Sequence, residues 1–277
     1  MGKQFKGGRQ SKGKPQRGDR DRELLYGRQP VREMLRAGRR RISEVFILSS
    51  VRSSEEIDEI TATMEERNLK LSNASPEKLE SLVGDVNHQG VVAEVYPYRY
   101  VSYKKMLSDA GQDKNAFFLF LDHLEDPQNV GSLLRTAEAA GVTGVVIPSH
   151  RAAGITPAVV RASAGAAEHM QIAQVPNLVS CIKLLQDKDR GVWFAGLDGG
   201  DGASLISETD LTGKIGIVVG SEGKGMRRLT RETCDYIVKL PMYGKVTSLN
   251  AGVAGAIAMF EVLRQRGMGE EIGRAHV

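Results

Sequence analysis

Only two cysteines occur in the 277 residues, Cys181 and Cys234, and neither stands in a Cys-x-x-Cys or Cys/His spacing. That excludes a disulfide framework and a zinc cluster, and no metal is expected. No apolar run approaches the roughly 18 residues that a membrane-spanning helix requires, so no membrane partner is expected either. The Lys/Arg-rich start has no apolar stretch behind it and therefore does not read as a secretory signal; cytoplasmic residence is the expectation. What is present is ordinary globular material, 41% hydrophobic and 26% charged, at a length that suits one large domain and one small one.

The charge is unevenly placed. From Met1 to Arg22 eight Lys/Arg stand against Asp19 and Asp21, a net +6 that leaves about −2 on the rest of a chain whose total is +4. With five glycines and no Val, Leu or Ile, residues 1–22 cannot offset ordering entropy by burial and are read as a disordered basic tail. Such an arm either contacts phosphates, releasing counterions on binding RNA, or merely aids solubility.

Residues 23–96 alternate helix and strand in a small α/β domain. Pro30 starts a helix that Gly38 stops, Val45–Leu48 is a strand, Ser53-Ser54-Glu55-Glu56 caps a helix to about Asn68, Pro76 opens another, and Val91–Val95 is a strand. Arg36, Arg39, Arg40 and Arg41 cluster where the first helix ends, a place that suits the helix dipole or a phosphate patch. Residues 97–115 read as an extended linker; Tyr96, Tyr98, Tyr100 and Tyr103 with interspersed Arg and Lys suit packing along a domain surface better than base stacking. In residues 116–268 the continuous run Phe117–Leu121 predicts a strand covered on both faces, hence a parallel sheet. Further strands are expected at 145–147, 172–174, 192–197, 215–220 and 236–239, and helices at 130–140, 178–186, 227–234 and 249–266. This alternation predicts an open α/β sheet whose ligand lies beyond the carboxyl ends of the strands. Residues 269–277 read as a C-terminal tail.

Three segments carry candidate chemistry. In Leu121–Ala137, Pro127 ends the strand exit, Asn129 is expected to cap a helix, and Arg135 lies inside it, off Asn129's face. Arg135 is either an ordinary exposed cation or a functional one. In Ile215–Met226 a strand runs into a glycine turn holding Glu222; the Gly-Lys lacks the Ser/Thr of a phosphate loop and Gly-x-Gly-x-x-Gly is absent. Gly220, Gly223 and Gly225 permit positive φ and close approach of a ligand. Glu222 would repel phosphate, so a cationic or polar ligand fits better, the alternative being a helix-capping acid. In Ile237–Ala258 a strand leads through a loop to Thr247, Ser248 and Asn250 at the start of an Ala/Gly-rich helix, where Ser or Thr is the default N-cap. Ala251, Gly252, Ala254, Gly255 and Ala258 form a smooth face suited to a tight intramolecular or subunit contact.

Together these segments resemble the SpoU/TrmH branch of the SPOUT RNA methyltransferases. The first motif looks like Asp126-Pro127, Asn129, Gly131 and Leu134-Arg135-Thr136; the second is similar to Gly220-Ser221-Glu222-Gly223-x-Gly225-Met226; the third to Ser248-Leu249-Asn250. Ser163–His169 resembles the segment between motifs, so the likeness covers roughly 117–266. The opening Leu25–Val31 looks like the small RNA-binding domain of the 23S ribosomal RNA guanosine-2′-O-methyltransferases. Ala251-Gly252 after Ser-Leu-Asn and the basic tail are departures that touch only packing and auxiliary RNA contacts.

The resemblance implies a trefoil-knotted SPOUT domain, an exception to the rule against threaded chains, and a homodimer whose site borrows across the interface. It implies S-adenosylmethionine as methyl donor, held around Gly220, Leu240 and Leu249, with Leu197, Gly225 and Met242 completing the pocket. Arg135 would bind the ribose-phosphate and assist deprotonation electrostatically, a guanidinium being a poor base; Asn129, Glu222, Ser248 and Asn250 would orient hydroxyl, Arg and cofactor. The implied reaction is 2′-O-methylation of a guanosine in 23S ribosomal RNA. Methylation of transfer RNA and a non-catalytic RNA-binding assembly factor are the alternatives.

Overall fold

The computed structural model describes residues 22–187, 189–200 and 202–267. The basic tail, apart from Arg22, and the C-terminal tail lie outside the described residues. No helix among those described is long and apolar enough to cross a membrane.

The first unit is a four-stranded sheet in the order β1-β4-β2-β3, built from β1 (Glu23–Tyr26), β2 (Ile42–Leu48), β3 (Leu71–Ala74) and β4 (Val91–Val95). Helices α1 (Arg28–Ala37), α2 (Glu55–Glu66) and α3 (Pro76–Val83) connect and cover it. Their ends follow local chemistry: Gly38 adopts the left-handed conformation that closes α1, and the hydroxyls of Ser54 and Ser75 accept from the Ile57 and Lys78 amides to cap α2 and α3. The expected elements are present, with α1 opening two residues before Pro30. Strands β1 and β3 are additions that periodicity could not show, since each is four residues long and largely half-buried.

The segment expected to be an extended linker holds a helix, α4 (Tyr103–Gln112). Its tyrosines pack as anticipated. Tyr98 is buried and donates to the Met170 carbonyl at 2.9 Å, Tyr100 accepts from the Ile155 amide at 2.8 Å, and Tyr103 donates to the Cys181 carbonyl at 2.6 Å. Burial raises the phenol pKa of all three.

The second unit is a seven-stranded parallel sheet in the order β7-β6-β5-β10-β8-β11-β9. Strands β5 (Phe117–Asp122), β6 (Gly144–Pro148) and β7 (Ile172–Val175) march one way. Strands β8 (Trp193–Leu197), β9 (Ser204–Leu205), β10 (Ile215–Gly220) and β11 (Tyr236–Lys239) then fill the other side. Every residue of β5, β6 and β10 is buried, the pattern of strands covered on both faces. Helices α5 (Pro127–Ala139), α6 (Pro157–Ala162), α7 (Leu178–Gln186), α8 (Arg228–Thr233) and α9 (Ala251–Gln265) provide the covering layers.

The arginine cluster after α1 is spent on structure. Arg36 chelates Glu59, Arg39 donates to the Met170 carbonyl, Arg40 is buried against Glu168 of the larger unit, and Arg41 lies 4.5 Å over the Tyr96 ring. Of the two uses left open for this cluster, helix dipole or phosphate patch, Arg39 and Arg40 serve neither: they rivet the two units together.

Candidate functional site

The carboxyl ends of β5, β8, β10 and β11 converge on two adjoining cavities. The larger, about 640 Å³, is walled by Leu197–Gly199 after β8, Val219–Gly223 and Gly225 after β10, Val238–Leu240 and Met242 after β11, and Thr247–Ala251 with Ala254 at the start of α9. The smaller, about 390 Å³, lies at the ends of β5 and β10 and is lined by Asp122–Asp126, Asn129, Ser221, Glu222 and Lys224–Arg227. Ser221, Glu222 and Gly225 belong to both walls.

The turn after β10 takes its shape from its glycines. Gly223 and Gly225 occupy left-handed backbone, with φ of 73° and 64°, as their types permit. Gly220 does not, contrary to expectation. It is required for another reason: a Cβ on Gly220 would overlap the Gly225 carbonyl group and the Met226 amide. The turn folds back on β10, the Ser221 amide donating to the Gly225 carbonyl at 3.1 Å and the Gly225 amide to the Ser221 carbonyl at 2.8 Å.

A polar chain stands between the cavities. Asn250 Nδ2 donates to Asn129 Oδ1 at 2.7 Å and to Glu222 Oε1 at 2.5 Å, and the Ala251 amide reaches the same Glu222 oxygen at 3.4 Å. Three residues from three separate segments are thus joined. Asn250 is also the N-cap of α9, its Oδ1 accepting from the Val253 amide at 3.2 Å, so the cap is Asn250 rather than Thr247 or Ser248. Likewise Asp126, accepting from the Gln128 amide at 3.0 Å, caps α5 in place of Asn129. Relieved of that task, Asn129 sits buried in the first turn and faces Asn250.

The small face of α9 is what allows this approach. A Cβ on Gly252 would strike the Ser132 hydroxyl, with Asn250 and Asn129 close by, so α5 and α9 meet at near-backbone distance where the two amides join. The smooth face is therefore an intramolecular contact. The opposite side of α9 exposes Val253, Ile257 and Phe260.

All six expected cofactor residues, Gly220, Leu240, Leu249, Leu197, Gly225 and Met242, fall on the wall of the larger cavity, as do Glu222, Ser248 and Asn250. Arg135 lies in neither wall. It is exposed on α5 and makes no hydrogen bond or ion pair among the described residues. Sequence reasoning missed Asp122, His123 and Arg227, which line the smaller cavity. The available signal was an Asp-His pair closing an otherwise wholly apolar strand. No group of three His, Cys, Asp or Glu among the described residues is placed to hold a metal.

The cavity suits a nucleoside sulfonium. Main-chain groups and the aliphatic side chains of Leu197, Leu240 and Leu249 offer a bed for an apolar ring, and the carboxylates of Asp198 and Glu222 favour a cation over a phosphate.

Comparison with known proteins agrees with this geometry. Residues 116–260 match the model of the SpoU rRNA Methylase family, and residues 24–101 match RNA 2′-O ribose methyltransferase substrate binding. Among curated relatives, the putative TrmH family tRNA/rRNA methyltransferase YacO of Bacillus subtilis is 39% identical over 88% of this chain and 96% of its own. The 23S rRNA (guanosine-2′-O-)-methyltransferase RlmB of Pseudomonas putida is 40% identical over 88% and 97%. Among solved structures, the SpoU methyltransferase AviRb from Streptomyces viridochromogenes in complex with AdoMet superposes with a TM-score of 0.74 at 24% identity, over 88% of this chain and 89% of that one.

Proposed function

Since the chain belongs to the SpoU rRNA methylase family, we propose that it transfers a methyl group from S-adenosylmethionine to a ribose 2′-hydroxyl of RNA, its favoured target being a guanosine of 23S ribosomal RNA. The observation that carries this reading is Asn250 joining Asn129 to Glu222 on the partition between a cofactor-sized cavity and a second, more polar one. The ribosomal target is favoured by the substrate-binding unit at 24–101 and by relatives with that printed activity.

In this reading the donor supplies an electrophilic methyl on a positive sulfur, held by the walls at Leu197, Gly220, Gly225, Leu240, Met242 and Leu249. Glu222 and Ser248 border it, and Asn129 and Asn250 orient the incoming hydroxyl. The protein's contribution is mainly positioning for in-line transfer.

Arg135, outside both cavities of its own subunit, serves the ribose-phosphate at the site of a second copy. The exposed stripe Val253, Ile257 and Phe260 on α9 supports a homodimer, as does the exposed loop from Met242 to Val246. A trefoil-knotted path around the cavity and cytoplasmic residence belong to the same proposal.

Incubation with labelled S-adenosylmethionine and unmodified ribosomal RNA should yield an alkali-resistant labelled dinucleotide. Label recovered on a base would refute ribose methylation, and preference for transfer RNA would move the target.

A further inference from the structure

The smaller cavity holds a histidine whose geometry the reaction above does not use. His123 Nδ1 lies 2.5 Å from Asp122 Oδ1. Asp122 is wholly buried, and its second oxygen accepts from the Arg227 amide at 2.7 Å. A carboxylate only accepts, so the neutral ring carries its proton on Nδ1 and leaves the Nε2 lone pair free. Among the described residues Nε2 has no partner, and His123 forms part of the cavity wall. His123 holds φ at +60°, a left-handed conformation that His adopts more readily than most non-glycine residues.

We propose that the smaller cavity seats the target nucleotide and that His123, held by Asp122, accepts the proton of the 2′-hydroxyl as the methyl group is transferred; this rests on the reading given above. The C–S bond to the methyl group breaks and its electron pair stays on sulfur, which becomes a neutral thioether. A pair on the 2′-oxygen forms the new C–O bond, and the hydroxyl proton passes to His123 Nε2. The resulting imidazolium is stabilised by Asp122 and later loses its proton to water. Placement supports the step, since Ser221, Glu222 and Gly225 wall both cavities and Asn129 in one wall bonds Asn250 in the other. The charged groups bordering His123 are Asp122, Glu125 and Asp126 on its own strand end and loop, Glu222 and Lys224 on the turn after β10, and Arg227 at the start of α8. His123 would be a catalytic residue and Asp122 a positioning one.

The test uses the full chain, tritiated S-adenosylmethionine and unmodified 23S ribosomal RNA in single turnovers. His123→Asn, which tolerates left-handed backbone, and His123→Gly, which relieves it, should each slow transfer by about a hundredfold to ten-thousandfold. Both should bind S-adenosylmethionine as wild type does in calorimetry. Asp122→Asn, which removes the carboxylate that holds the ring, should slow transfer less than either His123 variant and leave S-adenosylmethionine binding unchanged. Nitrogen NMR of the free protein should find the neutral ring of His123 protonated on Nδ1. A ring protonated on Nε2, or His123 variants with wild-type rates, would overturn the proposal while leaving the methyltransferase reading standing. A wild-type protein that transfers no methyl group to RNA overturns both.

Discussion

Arg40 and Glu168 form an ion pair sealed from solvent between the two units, Nε lying 2.8 Å from one carboxylate oxygen with side chains 1% and 0% exposed. Arg40 also reaches Glu23 at 2.7 Å and the Tyr96 carbonyl at 3.3 Å. The RNA-binding unit is therefore held to the catalytic unit by a charge that cannot be removed cheaply.

Burial raises the Glu168 carboxyl pKa, and Arg40 opposes that shift. A carboxyl raised above its unfolded value favours the folded state below that value and loses the advantage as pH rises through the folded one. Arg40→Met, which strands the carboxylate, should cost about 3–5 kcal/mol at neutral pH. The loss should be smaller in mildly acidic solution, where Glu168 takes a proton. Glu168→Gln should cost less, because Arg40 keeps Glu23. Urea denaturation of both variants at the two pH values checks the order and the sign.

Gly220→Ala places a methyl group against the Gly225 carbonyl and the Met226 amide. The turn must open, at about 1–3 kcal/mol of stability for overpacking. S-adenosylmethionine affinity should drop by about tenfold for each 1.4 kcal/mol carried into the pocket. Calorimetric titration reads the affinity, and thermal unfolding reads the stability.

Asn250 both caps α9 and ties Asn129 to Glu222, and two substitutions separate these tasks. Asn250→Ala should lose about 1 kcal/mol through the missing cap as well as methyl transfer. Asn250→Ser keeps a capping oxygen but cannot bridge the two side chains, so its stability should stay near wild type while single-turnover transfer falls. Equal stability losses in the two variants would contradict the division.

Val253, Ile257 and Phe260 are 48%, 45% and 39% exposed on one stripe of α9. If that stripe is the dimer contact, Ile257→Glu should sediment as a monomer. With Arg135 then removed from the partner's cavity, transfer should fall while S-adenosylmethionine still binds. A variant that remains dimeric would place the interface elsewhere.

The sequence made the parallel sheet legible because β5 and β10 are unbroken apolar runs, the mark of strands buried on both faces. The family resemblance, carried by the three motifs, named the six proposed cofactor residues, all of which line the larger cavity. The caps were misplaced because Asn129 and Ser248 look like caps locally, whereas Asp126 and Asn250 are the residues that accept from the Gln128 and Val253 amides. The arginine cluster was ambiguous for a similar reason: its partners Glu168 and Met170 lie about 130 residues downstream. Asp122 and His123 stayed unnoticed because a strand-terminal acid gains meaning only when Arg227, 105 residues on, is seen to fix it.

Whether this site methylates a ribose of ribosomal RNA is decided by ribose-methylation mapping of 23S ribosomal RNA from cells with and without an intact copy of this chain. The signal at a guanosine should disappear when the chain is missing and return with the wild-type protein. An unchanged ribose pattern, or the loss of a base methyl group instead, would contradict it.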